Sequence, residues 1–513
     1  MKYAGIVFFC IIFLIPLALT FTGTTPSDVI AVLSEPYFIS ILRFTFRQAA
    51  ISTIVSLVLG LPGAWIMSHC SFRSKRLVRA IYSVSFVLPS ILVVLGFVIF
   101  YGNSGYLNSI LMGIFGLDEP PLRILYSFKA VVLAHAFYNF PVIVTVIGSY
   151  WSGMGRSLEE SAATAGAGPL RIFVSIVLPQ LLPAIAAACV LVFLYCFNSF
   201  SIILVLGGGP AFTTAEVEIY RQARMNFNTK AACALSIVTL AVVLAVLLLQ
   251  MHLEKKCEKP ENPDYRHQRL RKPGILARLY IVLSSLFIGL PVAAIFFRAL
   301  FANTSRGSQQ MVFSLRSYAA LFNNPSALIN SLVSALGASV LGTAIAVSIC
   351  SYLVRRKKSI FNILVMLPMA VSSVIIGLSY FLLSRILPFS GPLAMLTLAH
   401  CVIVLPFSVR TILPAWRAIP SNLIEDSAVS GADSFQTLLR VELPMLRKSI
   451  MTSLAFGFAI SVGELNSVML IGVSDFTTVP LQIYRLVGSY NYQGACALGT
   501  VLIALCFLAF LYR

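Results

Sequence analysis

Glu160-Ser161-Ala162-Ala163-Thr164-Ala165-Gly166 returns 265 residues later as Glu425-Asp426-Ser427-Ala428-Val429-Ser430-Gly431. After each glycine come nine residues, then an aliphatic residue, one spacer and Leu-Pro, at Ile176-Val177-Leu178-Pro179 and Val441-Glu442-Leu443-Pro444. Two polar loops of one design in an otherwise apolar chain point to a membrane protein with two equivalent docking surfaces for a soluble partner.

Other stretches repeat at nearly the same spacing. Leu133-Ala134-His135 and Leu398-Ala399-His400 are 265 apart, as are Pro141 and Pro406. Thr213-Thr214 pairs with Thr477-Thr478, and Ile219-Tyr220 with Ile483-Tyr484, at 264. A steady offset of this size means two homologous halves.

The chain of 513 residues is 58% hydrophobic and 11% charged, too apolar for a soluble multidomain protein. Apolar stretches of spanning length fall at about 4–21, 46–69, 80–101, 130–150, 181–205, 232–251, 277–300, 327–354, 360–386, 393–415, 449–472 and 495–512. The expectation is an all-α membrane protein of about 12 transmembrane helices, in two parallel six-helix repeats. Six is even, so both halves enter the membrane in the same sense. The first half is 1–251 and the second 277–513. Between them, 252–276 is charged and nearly free of aliphatic residues, which suits a cytoplasmic linker.

The net charge of +19 follows from topology. With a cytoplasmic N-terminus, 24 Lys/Arg fall on the inner side and 9 on the outer. That positive-inside bias places both termini in the cytoplasm, and nucleic acid is not an expected partner. Residues 1–21 read as an uncleaved first helix, since no small-x-small cleavage site follows them. The 10 cysteines are scattered, with no CxxC pair and no Cys/His cluster, so no metal site is expected.

In each repeated loop the pattern predicts a helix, a glycine turn, a short amphipathic helix, and Leu-Pro leading into the next span. Pro169 suits the first helical position, and Asp433 or Ser434 can cap the second copy. Leu170, Phe173 and Ile176 or Val177 share a face, as do Phe435, Leu438 and Leu439. An apolar stripe on a loop needs a cover, and duplication at matched positions favours a partner protein.

The pattern Glu-x-Ala-x3-Gly-x9-aliphatic-x-Leu-Pro resembles the signature loop of permease subunits of binding-protein-dependent ABC importers. Ser161 and Asp426 replace the alanine common at the second position, and Ser427 stands for the next alanine. The resemblance implies a type I-like fold in the bacterial inner membrane. It also implies ABC ATPase subunits in two copies, docked on loops carried by Glu160, Ala162, Gly166, Leu178, Pro179, Glu425, Ser427, Gly431, Leu443 and Pro444. An extracytoplasmic binding protein would deliver substrate. The phosphate-cradling GxxxxGK[ST] loop needs a Gly-Lys pair, and this sequence has none. ATP hydrolysis is therefore expected on a separate chain, with no catalytic residue and no cofactor here.

Within the spans, His135 and His400 read as neutral imidazoles bonding a neighbouring helix, ahead of a proton relay. Glu464 has Ser199 as its first-half counterpart, so the repeat does not require an acid there. It lines the path and attracts a cation, or it bonds a neighbouring helix at a bend near Gly463; the sequence leaves both open. Thr213, Thr214, Tyr220, Thr477, Thr478 and Tyr484 lie in outer loops that the resemblance implies are a gate or binding-protein contact. Three glycines and a proline at 207–210 suit a tight re-entrant turn. These loops look most like those of thiamine importer permeases, with fused ferric-iron importer permeases close behind. Phe476-Thr477-Thr478-Val479-Pro480-Leu481 favours thiamine. An ion-coupled secondary transporter is the alternative of a different class, and it leaves the duplicated loops unexplained.

Overall fold

The computed structural model describes residues 4–155, 157–209, 212–256, 271–303, 311–323, 325–355, 361–387, 391–472 and 476–511. Most of the linker, with Pro210 and Asp475 of the outer loops, lies outside them.

The chain is almost wholly helical. The first half contains α1 (Ala4–Thr22), α2 (Pro36–His69), α3 (Ser90–Tyr101), α4 (Phe128–Ser152), α5 (Leu178–Phe197), α6 (Ser201–Leu206), α7 (Ala215–Tyr220) and α8 (Thr229–Lys256). The second half repeats the series as α9 (Ile275–Leu300), α10 (Ser326–Val354), α11 (Ser373–Ile386), α12 (Pro392–Arg417), α13 (Leu443–Val462), α14 (Asn466–Ile471), α15 (Val479–Gly488) and α16 (Tyr492–Leu511). Shorter helices join them, and 301–303 pairs antiparallel with 311–313.

Among the described residues, 11 helices are long and apolar enough to cross a membrane, and α11 is a shorter apolar helix of 14 residues. Four of the 12 expected spans are broken. The stretch 80–101 divides at Leu88-Pro89. The stretch 360–386 divides into 361–366, a 3-10 turn at Leu367-Pro368-Met369, and α11. In both, a proline lacks the N–H that would continue the helix. The stretches 181–205 and 449–472 divide at 198–200 and 463–465. The second span is longer than its apolar core, because Pro36 starts the helix ten residues before position 46. Ahead of it, the helix Pro26–Ser34 is fixed by Asp28. Its carboxylate accepts from the Thr25 N–H at 2.9 Å and hydroxyl at 2.6 Å, which holds Asp28 below its ordinary pKa.

The halves pack alike. In the first, α2, α4 and α5 form a close trio; in the second, α10, α12 and α13 do. Small residues allow it: a Cβ on Gly60 of α2 would come within 2.5 Å of Ile143 on α4. The first helix of each half also packs against the other half. Helix α1 packs on α11 and α9 on α3. Tyr380 of α11 donates to the Ile12 carbonyl at 2.6 Å, and Tyr82 pairs with Ser284 of α9 at 2.7 Å. These exchanges tie the halves together at their boundary.

Candidate functional site

Each signature loop opens with a short helix, Ser157–Thr164 or Ser421–Val429. Both end in a left-handed residue, Gly166 at φ 83° and Gly431 at φ 82°. The N–H of Ala167 reaches back to the Ala162 carbonyl at 2.9 Å, and that of Ala432 to Ser427 at 3.0 Å. This six-to-one closure is a Schellman cap, and its left-handed residue is the reason for glycine in both copies. No atom lies within 4 Å of a Cβ built on either glycine. The requirement is conformational, not steric.

The next helix starts differently in the two copies. In the first, Gly168 precedes Pro169. In the second, Asp433 is the cap, accepting from Phe435 N at 2.9 Å and Gln436 N at 2.7 Å, and Gln436 returns a bond to Asp433 N at 3.2 Å. Ser427 joins this turn through its hydroxyl, 3.0 Å from that of Thr437. Leu-Pro does not separate the short helix from the span. A π turn, 173–177 or 438–442, runs without a break into α5 or α13. Pro179 and Pro444 cannot donate one turn back, so the helix widens there and continues.

Glu160, Glu425, Pro179 and Pro444 are exposed, and Ala162, Leu178 and Leu443 half-buried. The predicted apolar face splits. Val177 is buried and Phe173 leans on Trp151 of α4, with ring centroids 6.2 Å apart. Leu170 is 76% exposed, Val429 89% and Phe435 49%.

At the other candidate site, the broken spans meet. The Ser201 hydroxyl donates to Asn466 Oδ1 at 2.8 Å. These residues are 265 apart and are each other's counterparts, so the contact marks the pseudo-two-fold axis. Asn466 Nδ2 donates to Ser373 Oγ at 2.8 Å. Glu464 Oε1 accepts from the N–H groups of Asn466 at 2.9 Å and Ser467 at 3.3 Å, capping α14, and its side chain remains half-buried. The bend at Gly463 is present.

His400 bonds Ser461 at 2.7 Å and Ser467 at 3.1 Å, and His135 bonds Ser52 at 3.1 Å. Each holds a neighbouring helix, as the sequence suggests.

The Thr-Thr and Ile-Tyr loops are packed down. Thr213, Thr214 and Thr478 are buried, and Thr477, Tyr220 and Tyr484 half-buried. Thr214 and Thr478 precede α7 and α15, whose first N–H groups donate to Thr45 at 3.0 Å and Ser331 at 2.7 Å. Tyr220 packs edge-on against Phe200, with ring centroids 5.6 Å apart. Gly208 and Gly209, at φ 74° and 103°, form the turn expected before α7.

Sequence reasoning gave no role to Glu216 and Glu218, both fully buried on α7. Glu218 Oε1 accepts from Tyr37 at 2.9 Å and Gln222 at 2.6 Å, and Arg221 lies 3.5 Å from its other oxygen. Glu216 Oε2 accepts from Ser372 at 2.8 Å, across the boundary between the halves. The available signal was two acids within a short apolar run.

Residues 56–259 and 338–513 each match the family of binding-protein-dependent transport system inner membrane components. The chain belongs to that family. This permease is 28% identical to the thiamine transport system permease protein of Brucella abortus (strain 2308), over 92% of its own length and 86% of the relative's. Against the thiamine transport system permease protein of Escherichia coli (strain K12) the identity is 26%, over 94% and 90%. Against the ferric transport system permease protein of Actinobacillus pleuropneumoniae it is 24%, over 97% and 75%. The permease is a multi-pass membrane protein, and its two family matches contain both signature loops.

Proposed function

We propose that this permease carries thiamine inward in an ATP-driven ABC importer. The observation that carries the importer reading is the matched pair of loops. Each presents the same glycine-closed turn and leaves apolar side chains open, in a chain with no Gly-Lys pair of its own. We assign Glu160, Ala162, Gly166, Leu178 and Pro179, with Glu425, Ser427, Gly431, Leu443 and Pro444, to two docking sites for two ATPase subunits. Both loops then face the cytoplasm, as do both termini, and the membrane is the bacterial inner membrane. The units are the half 1–251, the linker 252–276 and the half 277–513.

On the opposite side, an extracytoplasmic binding protein releases substrate above the Thr213-Thr214 and Thr477-Thr478 loops, with Tyr220 and Tyr484 beneath them and Glu464 along the path. ATP and loaded binding protein must favour the same arrangement of the halves by binding it more tightly. The continuous helix from each loop into α5 or α13 supplies a stiff link to the axis. Thiamine as cargo rests on the relatives bearing that name; ferric iron is the second reading, supported by the relative named for it. The test is ATP hydrolysis by the reconstituted importer. Thiamine-loaded binding protein should stimulate it several-fold over the empty form. Stimulation by a ferric-loaded protein instead would transfer the assignment to iron.

A further inference from the structure

Two carboxylates that the repeat does not require meet at one helix start. Glu216 on α7 has Pro480 as its second-half counterpart, and Glu464 before α14 has Ser199 in the first half. Glu216 reaches the first turn of α11 directly, and Glu464 reaches it through Asn466. Ser372, which caps that helix, donates to Glu216 Oε2 at 2.8 Å. The next residue, Ser373, is linked to Glu464 through Asn466, whose backbone N–H donates to Glu464 Oε1 at 2.9 Å. Ser373 also accepts from Asn466, and Asn466 accepts from Ser201 on the axis, each at 2.8 Å.

The cluster is acidic and unfinished. Glu216 is 1% exposed, yet its Oε1 has no partner. That oxygen belongs to the carboxyl already bonded to Ser372, so the unmatched acceptor lies at the same helix start. Leaving a buried acceptor unmatched forfeits the hydrogen bonds it would make to water. A glutamine would bridge α7 to α11 without a buried charge. Neither Glu216 nor Glu464 forms an ion pair among the described residues. Capping α14 uses only Oε1 of Glu464. Among the described residues no group of three or more His, Cys, Asp or Glu side chains is placed to hold a metal ion. Serine and amide groups beside two carboxylates suit an organic cation with hydrogen-bonding substituents.

We propose that Glu216 and Glu464, with Ser372, Ser373, Asn466 and Ser201, form one asymmetric site for a monovalent organic cation between the halves. It rests on the importer reading and specifies where the cargo's charge is held. Glu216 and Ser201 come from the first half and the other four from the second. Rocking of the halves therefore opens and closes the site, so one arrangement holds the cation more tightly than the other.

The test is calorimetric titration of the full-length permease in lipid nanodiscs with thiamine and, separately, with N-benzylpyridinium. Both should bind saturably, and Glu216→Gln and Glu464→Gln should each weaken binding of both about tenfold, a loss worth ~1.4 kcal/mol. If Glu216→Gln aggregates, Glu216→Asp keeps the charge but withdraws it by one methylene, and should weaken binding several-fold. Binding of pyridinium alone, weakened by these changes, would keep the site and remove thiamine as cargo. Equal thiamine affinity in wild type and both glutamine variants would overturn the site and leave the thiamine reading standing. Absence of binding by either cation to the wild type would also overturn the site.

Discussion

Replacing the two loop glycines separates shape from contact. Gly166 and Gly431 sit at φ 83° and 82°, where a side chain costs about 1–2 kcal/mol. No atom lies within 4 Å of the added Cβ, so alanine meets no clash and the whole penalty is conformational. If the Schellman turn must form before the ATPase docks, affinity for the ATPase falls by the population lost. For a 1–2 kcal/mol penalty that is roughly five- to thirtyfold per loop. Asparagine tolerates the left-handed region better than alanine, and valine worse. The expected order of affinity is therefore glycine, asparagine, alanine, valine at both positions. The two loops belong to different halves, so their losses should add in free energy. The assay is titration of the detergent-solubilised permease with purified ATPase subunits, read by biolayer interferometry. Unchanged affinity in G166A and G431A would refute the need for the turn. Asparagine as damaging as valine would instead assign the glycines to direct contact with the partner.

Three further outcomes follow from the geometry. Leu170→Asp and Phe435→Asp remove exposed apolar groups whose burial against a partner is worth ~1.5–3 kcal/mol each, and the same titration should show at least a tenfold loss. Asp433→Ala deletes the capping box of the second loop only, so limited proteolysis should cut near residue 433 faster while leaving the first loop unchanged; the expected destabilisation is about 1 kcal/mol. His400→Ala leaves Ser461 and Ser467 without their partner, costing about 1–3 kcal/mol in thermal unfolding, whereas collapsing the proton gradient with an ionophore should not alter ATP-driven uptake by the wild type.

The loops were legible because their chemistry is local. A glycine after Glu-x-Ala, nine residues before Leu-Pro, implies a turn and a helix start wherever it folds. The halves were legible from spacing alone. Span boundaries were less so. Hydropathy joined 80–101 across Pro89, although the proline marks the break, and it missed the first turns of α2 because Arg43 interrupts the apolar run there. The break at Asn198-Ser199-Phe200 contains no proline or glycine and has no local signal. Glu216 illustrates the deeper limit. Beside a run of glycines it reads as a loop acid in water, and only Ser372, 156 residues away in the other half, makes it an interior group. Nothing within α7 predicts that contact.

The central claim is that a separate ATPase, docked on the paired loops, drives thiamine through this chain. Its most direct test is accumulation of labelled thiamine in proteoliposomes containing the permease, with binding protein outside and ATP inside, with and without the ATPase subunits. The account predicts accumulation only when both ATPase and ATP are present. Accumulation driven by an ion gradient with no ATPase would contradict it, as would an ATP-driven complex that moves ferric iron and leaves thiamine outside.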